Sequence, residues 1–163
     1  MERTNFLSYL GVLQELAATL EELTSVQQEK TQVVRADDLA GLNECMKREQ
    51  ALSLALRSLD QRRETALAAM GLREVPLSGL TAQAPEDCRE ETRRTVELLR
   101  DQYLQYHGAA EVARNTLECN LHQIEKVLAE MNPEGRQALW SRSSPPRCER
   151  ISAPERGTGR NRL

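Results

Sequence analysis

The stretch from Glu86 to Met131 limits what this chain can fold into. It runs about 45 residues with no internal proline and a single glycine, Gly108. Its apolar residues fall at Val96, Leu99, Tyr103, Tyr106, Ala110, Ala113, Leu117, Leu121, Ile124, Val127, Leu128 and Met131. Spacings that alternate three and four keep one stripe facing a partner helix. At about 1.5 Å per residue the helix is about 65 Å long, twice the diameter of a small domain. It cannot fold back on itself, so its stripe must be buried against other helices of the chain, a second copy, or another protein.

Two more amphipathic segments precede it. The first, over 5–36, has Thr4 or Asn5 as a cap and a stripe of Phe6, Tyr9, Leu13, Leu16, Leu20 and Leu23. After Leu23, Gln27 and Lys30 enter the stripe, so packing is expected to weaken toward Val34. At Ala36-Asp37-Asp38 the pattern restarts, with Asp37 or Asp38 suited to capping a new helix. A turn there and one continuous bent helix are both compatible with the sequence. The second segment, over 38–70, has the stripe Leu39, Leu42, Met46, Glu49, Leu52, Leu56, Leu59, Arg63, Ala66 and Met70. Two helices of about equal length across a short connection predict an antiparallel hairpin, with Glu49 in a middle layer and Arg63 near the start of the first helix.

Gly71 suits the position just past a helix end. From 71 to 85 the helical period disappears, and Leu72, Val75, Leu77 and Leu80 are apolar enough to rest partly on the bundle. Fifteen extended residues reach about 45 Å, so the linker leaves the direction of the third helix open. Pro85 fits that helix's first turn, and Asp87 with Glu90 has capping-box spacing. Asn132-Pro133-Glu134-Gly135 ends it. Beyond lies a short apolar island at Leu139-Trp140 in a Ser, Pro and Arg-rich tail with seven Arg against three Glu. The tail, 132–163, is expected to be disordered. The expected architecture is all-α: an elongated antiparallel helical hairpin plus a long third helix over 86–131, packed as a three-helix, coiled-coil-like bundle.

Composition narrows the function. Aromatic residues are 3% of the chain, its formal charge is −3, and Leu, Ala, Glu, Gln and Arg dominate. That balance gives no electrostatic case for nucleic acid. No window approaches the 18 or so uninterrupted apolar residues of a membrane span, and the N-terminus lacks the apolar core of a signal peptide. Cys45, Cys88, Cys119 and Cys148 form no C-x-x-C pair, which argues against a zinc site or a dense disulfide framework. Cys45 and Cys119 lie in helical patterns, as reduced apolar fillers would in a cytoplasmic protein. His122 and Glu118 share a helix face but supply only two ligands. Neighbouring carboxylates such as Glu21-Glu22 and Asp37-Asp38 point about 100° apart on a helix, a geometry for solvation and not for a shared proton. No phosphate loop or nucleophile motif is present. The sequence therefore predicts neither an enzyme nor a cofactor.

The informative feature is apolar surface. The third helix is longer than the hairpin by about ten residues, so one end of its stripe lacks an intramolecular partner. If that end is C-terminal, the exposed set is Leu117, Leu121, Ile124, Val127, Leu128 and Met131, a helix-in-groove surface. The same residues also suit a core or a homodimer seam, so a self-associating structural coiled coil is the alternative to a partner-binding protein.

Several runs resemble one family. Leu16-Ala17-Ala18-Thr19-Leu20-Glu21-Glu22-Leu23, Gln28-Glu29-Lys30, Asp37-Asp38-Leu39-Ala40-Gly41-Leu42, Glu49-Gln50-Ala51-Leu52, Leu59-Asp60-Gln61-Arg62-Arg63 and Asn115-Thr116-Leu117 through Ile124 occur in the order and spacing of the FlgN-like flagellar export chaperones. The resemblance implies a cytoplasmic type III export chaperone, monomeric or homodimeric. Such a chaperone binds the C-terminal region of hook-associated (hook–filament junction) proteins, prevents premature assembly and presents them to the export gate. It also implies a gate contact at Leu139 and Trp140, where the family commonly has Leu-Tyr followed by a small-residue Gly segment, a pattern from which the Ser-Pro-Pro-Arg tail departs.

Overall fold

The computed structural model describes residues 3–132. They form α1 (Arg3–Arg35), α2 (Leu39–Ala69), a one-turn α3 (Leu80–Gln83) and α4 (Arg89–Met131), with 3-10 turns at Leu77–Gly79 and Glu86–Cys88. No strand occurs among the described residues. The all-α hairpin with a long additional helix is the expected architecture. The proposed tail over 132–163, with Leu139 and Trp140, lies outside the described residues apart from Asn132.

The junction between the first two helices is a turn and not a bend. Asp37 has φ 54°. Asp38 N–H donates to Val33 C=O at 2.9 Å and Asp37 N–H to Val34 C=O at 3.2 Å, so two orphan carbonyls of α1 are satisfied around a left-handed residue. Asp38 then caps α2, its carboxylate accepting from Gly41 N–H at 2.9 Å. A Cβ at Gly41 would run into that carboxylate and the Val33 side chain, so the close return of the chain requires glycine. The same pair of backbone bonds recurs after α2. Gly71 has φ +70°, Leu72 N–H reaches Leu67 C=O and Gly71 N–H reaches Ala68 C=O.

α1 is the central helix. It packs along both α2 and α4, whereas α2 and α4 barely meet. This is why α1 buries Leu10, Val12, Ala17, Thr24 and Thr31 in addition to the expected stripe: two partners cover two faces. α2 shows one face only. Cys45, Leu59 and Leu67 are buried, Leu42, Glu49, Leu52, Leu56, Arg63 and Ala66 beside them are half-buried, and the opposite face is solvated. Met46 and Leu39 depart from the expected α2 stripe. Cys45 takes the inward place, and Leu39 stands 75% exposed at the turn.

Ion pairs mark the antiparallel register of α1 and α2. Arg62 Nη1 meets Glu15 Oε2 at 2.9 Å, Lys30 Nζ meets Glu49 Oε2 at 2.9 Å, and Arg48 pairs with Glu29. Two of the three charges that interrupted the apolar stripes, Lys30 and Glu49, therefore neutralise one another across the interface. Glu44, one turn before Arg48 on the same helix, pairs with Lys47. Arg63 approaches the Tyr9 hydroxyl, as the hairpin geometry required. That hydroxyl is buried without a well-formed hydrogen bond, and burial raises its pKa above the ordinary 10.0 while Arg63 opposes the shift.

The linker is a folded cap. Leu72, Leu80, Ala84 and Cys88 join Phe6, Tyr9, Leu10 and Leu13 in the core at the start of α1. It closes the end of the bundle where α2 finishes and so starts α4 beside the start of α1. Arg3 Nε lies 3.2 Å from Asp87 Oδ2, and at the far end Asn120 Nδ2 donates to Asp37 Oδ1 at 3.3 Å. α4 thus runs parallel to α1 and antiparallel to α2. The Asp87–Glu90 capping box does not form: Cys88 is the N-cap residue without a side-chain bond, and Asp87 pairs with Arg3. Cys45 and Cys88 are buried thiols, whereas Cys119 is disulfide-bonded, against the expectation of a reduced filler there.

Candidate functional site

α4 has two halves with different surroundings. Over the first, Thr92, Thr95, Val96 and Ala113 are buried, and Leu99, Tyr106 and Ala110 are half-buried on α1. Small residues at Ala109, Ala110 and Ala113 let the two backbones approach. Asn120 stands level with Asp37, just past the last residue of α1. From there α4 continues for 11 residues, about 16 Å, past the end of α1, with Ala129 buried on one side of it.

The apolar pattern does not stop where α1 stops. Leu121, Ile124, Leu128 and Met131 lie on the same helical face as Val96, Leu99, Tyr106 and Ala113, at three-four spacing. They are exposed all the same: Leu121 57%, Ile124 49%, Leu128 55% and Met131 78%, with Val127 exposed at one edge. Of the six residues expected in an exposed stripe, these five are bare. Leu117, the sixth, is half-buried beside the end of α1. Leu139 and Trp140 lie outside the described residues.

Some nearby surface was not anticipated from the sequence. Leu39 adds an exposed apolar side chain at the α1–α2 turn. Tyr103, expected to pack on the hairpin, is 54% exposed. It borders an apolar cleft of about 410 Å³ in the gap between α2 and α4, floored by Leu16 and Leu20 and closed by Leu77. No helical period marks such a gap; it follows from α1 being central. Among the described residues no three His, Cys, Asp or Glu side chains are placed to hold a metal ion, and no helix is long and apolar enough to cross a membrane.

The FlgN protein family matches residues 1–141, a span that takes in the hairpin, the folded linker, α4 and its bare terminal turns. The chain belongs to the FlgN family. This is a family of flagellar export chaperones and not of enzymes, and membership gives the chain a chaperone role in flagellum assembly. No curated protein and no solved structure matches it significantly.

Proposed function

We propose that this FlgN-family chain is a cytoplasmic chaperone that holds the C-terminal helical region of a hook-associated flagellar protein on the last turns of α4. It thereby prevents premature assembly and delivers that protein to the type III export gate. The observation that carries this reading is the bare continuation of α4's buried face beyond Asn120. The end segments of filament-forming proteins pair as amphipathic helices on assembly. A chaperone with a vacant helical face completes such a stripe and blocks self-association. Half-exposed Leu, Ile and Met side chains each gain about 1 kcal/mol on being covered, roughly half the value for full burial. Covering the five contributes about 5 kcal/mol, so a micromolar complex, about 8 kcal/mol net of the costs of association, draws the remainder from the apolar face that the partner buries in turn. Binding and release need no cofactor. Leu139 and Trp140 follow the stripe within ten residues of Met131, where a cargo-loaded chaperone would present them to the gate.

Co-purification with C-terminal fragments of hook-associated proteins tests the reading. Absence of a complex at micromolar concentrations would refute it. The Ile124→Asp/Leu128→Asp variant is expected to lose the complex while keeping its helicity and its melting midpoint. A loss of helicity would instead make these residues core.

A further inference from the structure

Resting on that reading, we infer the chemistry and direction of the segment that α4 receives. It is an amphipathic helix of about three turns, a coaxial continuation of α1 running parallel to α4, with basic side chains seven residues apart along one flank. Its length follows from the 11 residues of α4 beyond Asn120, about 16 Å. Its axis follows from the face it must cover, which is the one α1 covers lower down and leaves at Asp37.

Its charge follows from the edges of that face. Glu118 and Glu125 lie seven residues apart, on the edge beside Leu121 and Leu128. Both are exposed, and neither has an ion pair among the described residues. The opposite edge carries Asn120 and Val127, which are uncharged. A helix with Lys or Arg opposite both glutamates gains two charge pairs in one orientation and loses them in the reverse one. The base of the site adds the direction. Asp37 and Asp38 sit at the turn where the partner helix would begin. The positive end of a helix dipole is its N-terminus, so that end is favoured over the two carboxylates. A second copy of this surface fits poorly, because residues 118–131 hold three Glu and one Lys and would set like charges face to face.

Two side-chain-crosslinked 14-residue helices test this against the full chain by fluorescence anisotropy. They share a Leu/Ile face and carry either Lys or Glu at two flank positions seven apart. The Lys helix is expected to bind roughly three- to tenfold more tightly at low salt, the effect of two part-exposed pairs. The gap should shrink as salt rises. The Glu118→Lys/Glu125→Lys variant should reverse the preference. A paramagnetic label on the peptide N-terminus should broaden amides near Leu121 more than those near Met131, and the opposite pattern overturns the direction. Equal binding of both helices, or a preference unmoved by charge reversal, overturns the basic-partner inference and leaves cargo binding standing. Failure of both helices to bind, together with failure of the co-purification, removes the two readings at once. A dimer by light scattering that the peptides do not dissociate assigns the face to a second copy. Protection of the stripe amides in the free chain, unchanged by peptide, assigns it to residues 133–163. Either result overturns the inference.

Discussion

Lys30 and Glu49 are the sharpest test of how the hairpin is held in register. Each stands in its helix's apolar stripe, and they meet at 2.9 Å with side-chain exposures of 15% and 28%. At an effective dielectric near 20, two charges at that distance attract by about 6 kcal/mol, most of which desolvation cancels. Replacing one partner keeps the desolvation and removes the attraction. Lys30→Met or Glu49→Leu alone should therefore cost about 1–3 kcal/mol. This is less than the 3–5 kcal/mol of a fully buried pair, because water still reaches the carboxylate. The double replacement Lys30→Met/Glu49→Leu restores a continuous apolar seam with Leu42, Leu52 and Leu56. It should return to within about 1 kcal/mol of the unaltered chain, or exceed it. Urea unfolding followed by circular dichroism, with the slope checked for constancy, gives all four corners of the cycle. If the two single losses are below 0.5 kcal/mol and simply add (a bound set by the error of such cycles), the pair is a solvated contact and the register argument fails.

Other perturbations have equally definite expectations. Gly71→Ala should cost about 1–2 kcal/mol because its φ is +70°, whereas Asp37→Gly, at φ 54°, should gain up to about 1 kcal/mol less the bond to Asn120. Equal effects of one sign in thermal unfolding would refute the shared turn geometry. Leu80→Ala should cost about 2–4 kcal/mol, because the linker is part of the core, while Leu54→Ala on the solvated face of α2 should be near neutral. Stability should fall as pH rises above about 9–10. Burial holds the Tyr9 hydroxyl above its ordinary 10.0, and burial with Glu29 holds the Cys45 thiol above 9.0. Both groups keep in the folded chain a proton that the unfolded chain gives up, so their contribution is intact below those values and is lost above them. Tyr9→Phe should flatten the decline near pH 10, read from denaturation midpoints across pH. An unchanged slope would exclude Tyr9.

Much of this was legible from spacing. The hairpin, the helix end at Gly71 and the surplus length of α4 follow from period and punctuation; the restart at Asp37-Asp38 shows in the pattern, but the choice between a turn and a bent helix there does not. Period alone could not say that α1 is central. A helix covered on two sides shows two overlapping stripes, and Leu10, Val12 and Ala17 read as noise beside the stronger one. Nor could it set the direction of α4, since the linker was long enough to reach either end. That was decided by Leu72, Leu80 and Ala84 packing onto Phe6 and Leu13. The capping box failed because Asp87 had a better partner in Arg3, a residue more than 80 positions away. The stripe residues of the candidate site were visible in the sequence. The acidic edge beside them acquired meaning only once α1 was seen to end level with Asn120 of α4.

The central place of α1 also orders the folding reaction. Its contacts with α2 close across a three-residue turn, whereas those with α4 join residues about 84 apart, from Arg3–Asp87 to Asp37–Asn120. The entropy of closing the longer loop must be met before those contacts return anything, so the hairpin should form first and α4 dock afterwards. Between the two events α1 shows its second face to solvent. A chain stalled there presents the apolar seam meant for α4 to any neighbour.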